Sequence, residues 1–352
     1  MANMAQAIRM ALHVGEKNLE VNDIFGQDVG MPLGGVFTAT QGLKTTWNTP
    51  LDERGIIGMA MGIGLTGERC VAEIQFCDYI FNTIDLLKIA GNTHWVSNGN
   101  YNLPIVVMTP VGAGIRGSIY HSHSFDAWAS RLAGWKVVMP STPIDAYGLL
   151  LSAIEDPNPV LFLKPKALMR VRGEELIPGE PEKEKDLKAM IDAPLGDRTK
   201  WKARWPELDE SFRVPIGKAK ITREGDKATV VTYGRHVAIC NAVADELKQE
   251  GTAIEVIDLR SIYPYDWQTV KASIAKTKRV VFINEDTEVT NFGEHLAYRA
   301  TQELFYELLA RPRVLAGKNL PGIGLHPHLE EASVPHKVDV MAEIRELLEE
   351  VP

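Results

Sequence analysis

The stretch NTPLDERGIIGMAMGIGLTGERCVAEIQFCDY, residues 48–79, decides the fold of this chain. It sets one carboxylate, Glu53, in a proline-bounded turn just before a helix of small residues. A strand follows, and Gln75, Phe76 and Tyr79 come at its end. A carboxylate at a helix N-terminus with flat rings nearby suits the binding and protonation of a heteroaromatic ring. The stretch predicts half of an active site, because no phosphate-binding loop accompanies it.

Strand and helix patterns alternate on both sides of this stretch. Buried-strand runs include CVAEIQF, PIVVMTPVG, WKVVMP and PVLFLKP, and helical periodicity covers residues 4–20, 56–67 and DAYGLLLSAIED. A charged, proline-containing segment interrupts the pattern, and a second α/β series then begins with KATVVTYG and continues through IEVIDLR and RVVFINED. The alternation predicts parallel sheets covered on both faces. We expect a first domain at 1–170, a charged linker at 171–212 and a second domain at 213–352.

The composition excludes several classes of protein. The chain has 352 residues and a formal net charge of −8, with its basic residues scattered, which disfavours nucleic-acid and membrane-surface binding. Three cysteines are too few and too badly spaced for a disulfide framework or a zinc site, so a reducing cytoplasm is expected. No apolar run reaches the roughly 18 residues of a membrane helix.

Two interpretations of Glu53 remain open from the residues alone. An exposed acid at a helix start is common, because it complements the helix dipole. The functional alternative is a partly buried carboxylate with a raised pKa, able to share a proton with a ring nitrogen. Cys77 lies close by in the sequence, but no basic partner marks it as a nucleophile, and a small core residue is the favoured interpretation.

The string IYHSHSFDAW, residues 119–128, follows a glycine-rich loop after a buried strand. His121 and His123 are therefore placed where open α/β sheets bind ligands, and an imidazole suits proton transfer. A structural or surface role for either histidine is the alternative. A zinc site would need further ligands at proper spacing, and none is nearby. The loop GAGIRG does not have the order of a dinucleotide-binding fingerprint.

Taken together, the segments resemble the beta subunits of the thiamine-diphosphate-dependent 2-oxoacid dehydrogenases. The resemblance extends along nearly the whole chain and rests on ordered matches. They are GQDVG (26–30), GGVFTATQGL (34–43), TPLDERGIIG (49–58), AEIQFCDYIF (72–81), YHSHS (120–124), the run from KVVMP to FLKPK (136–166), EVIDLRSIYPYD (255–266) and NFGEHL (291–296). The segments AEIQFCDYIF and IEDPNPVLFLKPK are most similar to the branched-chain, 2-oxoisovalerate enzymes.

The resemblance implies a transketolase-like α/β fold: an N-terminal pyrimidine-binding, doubly wound parallel-sheet domain and a C-terminal transketolase-type domain. It also implies roles for individual residues. Glu53 matches the glutamate that hydrogen-bonds N1′ of the cofactor's aminopyrimidine ring. Tyr79 matches a cofactor-contacting position, and Phe76 and Gln75 are expected in the same ring pocket. His121 matches the histidine that orients the substrate carboxylate and assists acyl transfer to a lipoyl group.

Six further positions align with oxygen ligands of a potassium ion in the family: Leu103, Ile105, Val106, Ala153, Asp156 and Asn158. From the residues alone, a helix end followed by a proline turn is the favoured interpretation of AIEDPNPV (153–160), and carbonyls that bind a monovalent cation are the alternative. Two departures from the family pattern stand out. His123 replaces a commoner glutamine and is followed after Ser124 by Phe125-Asp126, and the segment 171–212 is longer and more charged than in many relatives.

The resemblance also predicts what this chain lacks. Thiamine diphosphate enzymes hold the pyrophosphate through Mg²⁺ with a GDG segment and a later Asn-Asn pair, and this sequence contains neither. We therefore expect an alpha subunit to hold the Mg²⁺ in an α2β2 heterotetramer with sites shared between subunits, and a lipoyl-bearing acyltransferase as the next partner.

The expected reaction is oxidative decarboxylation of a branched-chain 2-oxoacid with reductive acylation of the lipoyl domain. Pyruvate or acetoin specificity is the alternative within the same class. A non-catalytic assembly subunit is the alternative from a different class.

Overall fold

The structure is a computed structural model that describes residues 1–198 and 200–351. Its strands are β1 (Val21–Gly26), β2 (Thr46–Asn48), β3 (Arg69–Glu73), β4 (Ile105–Val111), β5 (Lys136–Val138), β6 (Val160–Pro165), β7 (Lys220–Arg223), β8 (Thr229–Thr232), β9 (Glu255–Asp258), β10 (Ser261–Tyr263), β11 (Val280–Thr287) and β12 (Arg313–Gly317). Its α-helices are α1 (Met4–Asn18), α2 (Glu53–Leu65), α3 (Cys77–Ile80), α4 (Ile84–Val96), α5 (Asp126–Ser130), α6 (Pro143–Glu155), α7 (Glu184–Ile191), α8 (His236–Gln249), α9 (Trp267–Thr277), α10 (Phe292–Leu304), α11 (Pro327–Glu331) and α12 (Lys337–Glu349).

The chain forms two compact units. The first comprises residues 1–110 and 132–216, and the second comprises residues 111–131 and 217–352, of which 352 lies outside the described part. The excursion 111–131, which follows β4 and contains the two predicted histidines, thus belongs to the second unit. The division predicted from the sequence, at 170 and 212, stays a prediction.

The first unit is built on a sheet with the strand order β5-β6-β4-β3-β1-β2. The pairs β5–β6, β4–β3, β3–β1 and β1–β2 run parallel. All seven residues of β4 and all six of β6 are buried, as expected of central strands covered on both faces. Because parallel strands bring their carboxyl ends to one edge, the loops after β1 and β3 begin at the same edge of the sheet.

Helices α1 and α6 form the core of the first unit on one side of the sheet. Helix α1 starts with a capping box, in which the Asn3 side chain accepts from the Gln6 amide and the Gln6 side chain accepts from the Asn3 amide. Helix α6 starts with Thr142 as N-cap and Pro143 in the first turn, a favoured combination. Ten of the thirteen α6 residues are buried, which explains its strongly apolar sequence.

The segment 171–212 contributes to the core of the first unit. Ile177, Leu187 and Ile191 are fully buried within it, and the latter two lie on the short helix α7. The fully buried Arg9 of α1 donates to the backbone oxygen of Ile191 at 2.5 Å and to Asp192 at 3.1 Å. The few apolar residues of this segment are separated by many charged ones, so its helical periodicity is weak. The sequence therefore does not predict α7.

The second unit has a five-stranded sheet with the order β12-β11-β8-β9-β7. The pairs β12–β11, β11–β8 and β8–β9 are parallel, whereas the edge strand β7 pairs with β9 in the antiparallel sense. The sequence had predicted only parallel pairing. Strand β7 follows directly on the chain that enters this unit, and its residues are half-buried or exposed, which is common at a sheet edge.

A network of side-chain amides links the start of helix α10 to strand β11. The Asn291 side chain caps the helix by accepting from Gly293, and its amide nitrogen donates to the Asn284 side chain at 2.9 Å. Across residues 1–198 and 200–351, none of the helices combines the length and the apolar character needed to cross a membrane.

Candidate active site

Glu53 is the first residue of helix α2 in the first unit. Asp52, the N-cap, has extended backbone angles, so the chain enters the helix abruptly after the turn at Pro50. The Glu53 side chain is half-buried, and its Oε2 accepts a hydrogen bond from Asn82 Nδ2 at 3.4 Å. The carboxylate therefore lies at the positive end of the helix dipole, close to the turn that joins α3 to α4.

A second contact fixes this helix end against α4. Arg54 binds Asp85 through two hydrogen bonds of 2.6 and 2.8 Å, and it also donates to the Asn82 backbone oxygen at 2.8 Å. Hydrogen bonding from Arg54 lowers the pKa of Asp85 to about 2. The bidentate pair holds the first turn of α2 against the first turn of α4. It thereby also fixes the positions of Glu53 and Asn82.

Two aromatic rings follow strand β3, and one of them, Tyr79, lies near the Glu53 carboxylate. Phe76 and Tyr79 meet edge to face, with ring centroids 6.1 Å apart and an interplanar angle of 87°. Both are half-buried, and the Tyr79 amide donates to the Phe76 carbonyl at 3.0 Å. Burial, followed by the charges of Asp78 and Glu53, raises the pKa of the Tyr79 phenol. Tyr79 is therefore neutral at physiological pH, and it links Phe76 to the neighbourhood of Glu53. The roles of these three residues at a cofactor site stay predictions.

Gln75 is engaged one residue before this aromatic pair. Its amide nitrogen donates to Asp28 Oδ2 at 3.1 Å and lies 3.5 Å from the Gln27 carbonyl. The contact joins the end of β3 to the end of β1. Asp28 was not among the predicted site residues, although it lies in GQDVG, one of the segments on which the family resemblance rests.

A buried ion pair supports the same edge of the sheet. Glu73, the last residue of β3, pairs with Lys164 of β6, and neither side chain is exposed. The other Glu73 oxygen accepts from the Val36 amide at 2.9 Å. Lys166, two residues further along, lies over the Phe76 ring at 5.6 Å from its centroid. Sequence patterns could not reveal this pair, because its members are far apart in the chain.

The loop held by Glu73 has an unusual backbone. Phe37 and Thr38 have φ angles of +59° and +62°, a left-handed conformation that costs non-glycine residues about 1–3 kcal/mol each. Gly35 has a φ angle of +74°, and a Cβ there would lie 2.6 Å from the Thr40 hydroxyl. Only glycine suits that position, so the GGVFT turn is fixed by its surroundings rather than by local preference.

In the second unit, His121 is positioned by the glycine-rich loop before it. Its Nδ1 lies 3.1 Å from the Gly117 carbonyl, a contact that favours the tautomer with the proton on Nδ1. A Cβ on Gly117 would come within 2.4 Å of the His121 carbonyl oxygen, so this approach requires glycine. His123 is exposed, and its carbonyl accepts from the Gly112 amide at 2.7 Å.

Two carboxyl groups are buried in this part of the second unit: Asp126, which follows the loop, and Asp286 of β11. Burial raises the pKa of Asp126 well above its ordinary value, and the neighbouring charges of Asp286 and Glu285 raise it further. Burial also raises the pKa of Asp286, whose Oδ2 accepts from the Ala127 amide at 3.0 Å. Tyr233 adjoins the pair, and burial raises the pKa of its phenol. Both shifts favour the protonated form of these carboxyl groups relative to exposed aspartates.

The residues predicted to bind potassium lie near the start of β4 and near the end of α6. Leu103, Ile105, Val106 and Ala153 are buried, and the Leu103 amide donates to the Pro157 carbonyl at 3.0 Å. The Asn158 Oδ1 atom is buried with no hydrogen-bond partner among the described residues, as an oxygen reserved for a cation would be. The Asp156 carboxylate, however, is paired with the Lys136 ammonium.

Other parts of the described chain offer no competing centre. Residues 1–198 and 200–351 contain no group of three or more His, Cys, Asp or Glu side chains arranged to hold a metal ion. Cys77 is fully buried, which confirms its interpretation as a core residue. Burial raises the pKa of Cys70 and of Cys240 to about 12, so both remain thiols.

Comparison with protein families divides the chain into two matched regions. Residues 1–172 match the family of the transketolase pyrimidine binding domain, and residues 217–340 match the transketolase C-terminal domain. Among solved structures, the chain of an inactive β4 tetramer of a split-gene transketolase superposes with a TM-score of 0.71 at 17% identity, covering 99% of this chain and 98% of that one. That likeness concerns the fold.

Curated relatives are more similar in sequence. The chain is 36% identical to the 2-oxoisovalerate dehydrogenase subunit beta of Pseudomonas aeruginosa, over 98% of its own length and 95% of that protein. It is 35% identical to the protein of the same name in Bacillus subtilis, over 93% and 92%. The pyruvate dehydrogenase E1 component subunit beta of B. subtilis is 33% identical over 98% of both chains. This chain therefore belongs to the family of 2-oxoacid dehydrogenase beta subunits, with the transketolase-like fold that its sequence predicted.

Proposed function

We propose that this chain is the beta subunit of a branched-chain 2-oxoacid dehydrogenase that uses thiamine diphosphate. The observation that carries the proposal is the arrangement of Glu53, Phe76 and Tyr79 around one helix end, in a chain whose curated relatives match it over nearly its full length. The two bacterial relatives named for 2-oxoisovalerate, at 36% and 35% identity, share slightly more identity with it than the pyruvate relative of B. subtilis, at 33%.

The residues present fit the pyrimidine end of thiamine diphosphate. A half-buried carboxylate at a helix N-terminus can accept a hydrogen bond from a ring nitrogen, and the rings of Phe76 and Tyr79 can pack against a flat heterocycle. Glu53 would hold the ring nitrogen, and Tyr79 would keep water from the ring edge. When bound, the cofactor supplies the carbanion chemistry of decarboxylation, while the protein supplies orientation and electrostatics.

His121 is the proposed proton donor and carboxylate-binding group for the substrate. Its contact with the Gly117 carbonyl fixes the ring orientation and leaves Nε2 as the atom for proton exchange. His123, which replaces a commoner glutamine, is proposed to add positive charge to the substrate pocket at low pH.

An alpha subunit is the proposed partner, because this sequence has no GDG segment or Asn-Asn pair to hold Mg²⁺ and pyrophosphate. The surface of α2 supports a protein partner. A Cβ added at Gly58 or at Gly62 would meet no atom within 4 Å, and Met59 and Leu65 are 40% and 49% exposed. Such a bare stripe of small and apolar residues suits close packing by another helix. We propose an α2β2 assembly that passes its acyl group to a lipoyl-bearing acyltransferase.

A potassium ion is proposed at the junction of β4 and α6. The buried, unpartnered Asn158 Oδ1 and the nearby main-chain carbonyls are hard oxygen donors suited to a monovalent cation. Because the Asp156 carboxylate is paired with Lys136, it would contribute little negative charge to the site. The ion would therefore be bound mainly by neutral oxygens.

The proposal is tested by purifying the complex that assembles around this chain and assaying three substrates. We expect a GDG-containing subunit to copurify, and kcat/KM for 2-oxoisovalerate to exceed that for pyruvate and acetoin by at least about tenfold, or about 1.4 kcal/mol in transition-state binding. A preference for pyruvate or acetoin would change the substrate assignment only. Absence of turnover with all three, in a complex that contains both subunits, would support a non-catalytic assembly role instead.

A further inference from the structure

A cavity of about 540 Å³ in the first unit lies between the chain that follows β1 and residues from 193–198 and 201–205. One wall comes from residues within 29–34 and 40–46, and the other from Ala193, Arg198, residues 201–203 and Trp205. The two walls are tied together, because the Ala193 amide donates to the Gln41 side-chain oxygen at 3.2 Å. Cavities of this size typically hold small molecules.

Two tryptophans line this cavity. The Trp201 ring packs directly over Gly42: a Cβ on that glycine, whose φ angle is +82°, would come within 2.9 Å of the ring. Trp205 stacks on the His13 ring with centroids 4.2 Å apart and planes 6° apart, which fixes the orientation of its indole. Rigid indoles offer flat apolar area at a low cost in conformational entropy, so the cavity suits a planar ligand.

The charge of the cavity is opposite to that of the chain. Lys44, Arg198 and Lys202 contribute to its lining, and none of the described lining residues is an aspartate or a glutamate. The Glu16 carboxylate, next to this wall, accepts hydrogen bonds from the backbone amides of Lys44 and Thr45. In a protein of net charge −8, three cations around an aromatic cavity favour an anionic ligand.

We propose that this cavity, named here the tryptophan cavity, binds a small planar anion: an aromatic or heteroaromatic ring bearing a phosphate or a carboxylate. The ring packs against Trp201 and Trp205, and the anionic group is held by Lys44, Arg198 and Lys202. These cationic side chains can bind either a phosphate or a carboxylate. The experiment below distinguishes the two anionic groups. The inference does not depend on the proposed function.

The test uses the assembled complex and 8-anilinonaphthalene-1-sulfonate as a fluorescent planar anion. Competing ligands then distinguish the sources: ADP carries phosphate, 2-naphthoate carries carboxylate, and adenosine and 2-naphthol are their neutral counterparts. We expect saturable binding of the probe with Kd below about 100 μM, displaced by at least one of the two anions. The neutral counterparts should compete at least about tenfold less well.

Three variants connect the signal to the cavity. Trp201→Ala and the double variant Lys44→Glu/Lys202→Glu should each weaken probe binding at least about tenfold, and both lysines are exposed, so the double variant is expected to fold normally. Tyr306→Ala removes an aromatic ring that is 98% exposed in the second unit, and it should leave binding unchanged. Wild-type affinity in Trp201→Ala, equal competition by the neutral counterparts, or no saturable binding up to about 1 mM would each overturn the proposal.

Discussion

Glu73 and Lys164 form an ion pair in which neither side chain is exposed to solvent, at the edge of the sheet where the candidate active site lies. Glu73 ends β3 two residues before Gln75, and its second oxygen holds the Val36 amide of the GGVFT turn. A buried pair of this kind contributes little net stability, but removing one partner leaves a buried charge uncompensated. The pair therefore fixes β3, β6 and the turn relative to one another.

We predict that Lys164→Met destabilises the protein by about 3–5 kcal/mol, because the Glu73 carboxylate is left buried without its counter-charge. Urea unfolding followed by circular dichroism measures the effect. The double variant Glu73→Gln/Lys164→Met should recover most of the loss, since it removes both charges. A loss below about 1 kcal/mol in the single variant would contradict the assignment.

Asp126 should make stability depend on pH. Its pKa is raised by burial and by the charges of Asp286 and Glu285, so the folded protein binds this proton more tightly than the unfolded chain. The resulting stability is complete below the ordinary carboxyl pKa of about 3.9 and is lost as pH rises through the folded value.

Asp126→Asn keeps the shape but cannot lose a proton. The Tm difference between this variant and the wild type should therefore shift in favour of the variant as pH rises from 5 to 8. Asp226→Asn, at a carboxylate that is 65% exposed, is the matched control and should show no such trend. A Tm difference for Asp126→Asn that is the same at both pH values would contradict a buried proton at this position.

A substitution at Gly62 tests the proposed interface with the alpha subunit without changing a residue proposed for catalysis. A Cβ at this position meets no atom within 4 Å, so Gly62→Leu should keep the isolated chain folded and even stabilise α2 by about 0.5–1 kcal/mol. In the presence of the alpha subunit, the added side chain should block close helix packing. Size-exclusion chromatography should show assembly weakened at least about tenfold for Gly62→Leu and much less for Gly62→Ala. Normal assembly of the leucine variant would mean that this face of α2 is not an interface.

Gly117 tests the positioning of His121. The Cβ of Gly117→Ala would come within 2.4 Å of the His121 carbonyl oxygen, so the histidine must move. We expect at least about a tenfold lower rate of lipoyl acylation, matching the direction of His121→Asn, with a smaller effect on decarboxylation measured with an artificial electron acceptor. Equal losses in both assays would indicate that the loop serves binding of the substrate in general.

Much of the architecture followed from local pattern. The runs that became β4 and β6 were largely apolar and buried along their whole length, and helix α6 was also largely apolar. Less regular pieces were missed. Strand β1 carries Asn22 and Asp23 in its middle, and β12 is short and half-buried, so neither shows a clear strand pattern. The helical stretch from Cys77 to Val96 is interrupted at Phe81–Thr83 by a 3-10 turn, where Asn82 and Thr83 disfavour a helix interior.

The site was predictable where one short stretch contained it. Glu53, Phe76 and Tyr79 lie within 27 positions of one another, and the strand–turn–helix pattern brought them together. Asp28, Lys164 and the Asp126–Asp286 pair depend on contacts between distant segments, and single-sequence periodicity contains no information about those contacts.

The rate of decarboxylation by the assembled complex carrying Glu53→Gln, measured with an artificial electron acceptor, tests the proposed role of Glu53 most directly. Glu68→Gln, at an exposed glutamate just before β3, is the matched control. If Glu53 is the partner of the cofactor's ring nitrogen, Glu53→Gln should lower the rate by at least about 100-fold while assembly stays normal. A rate within about tenfold of the wild type, about 1.4 kcal/mol, would contradict that role.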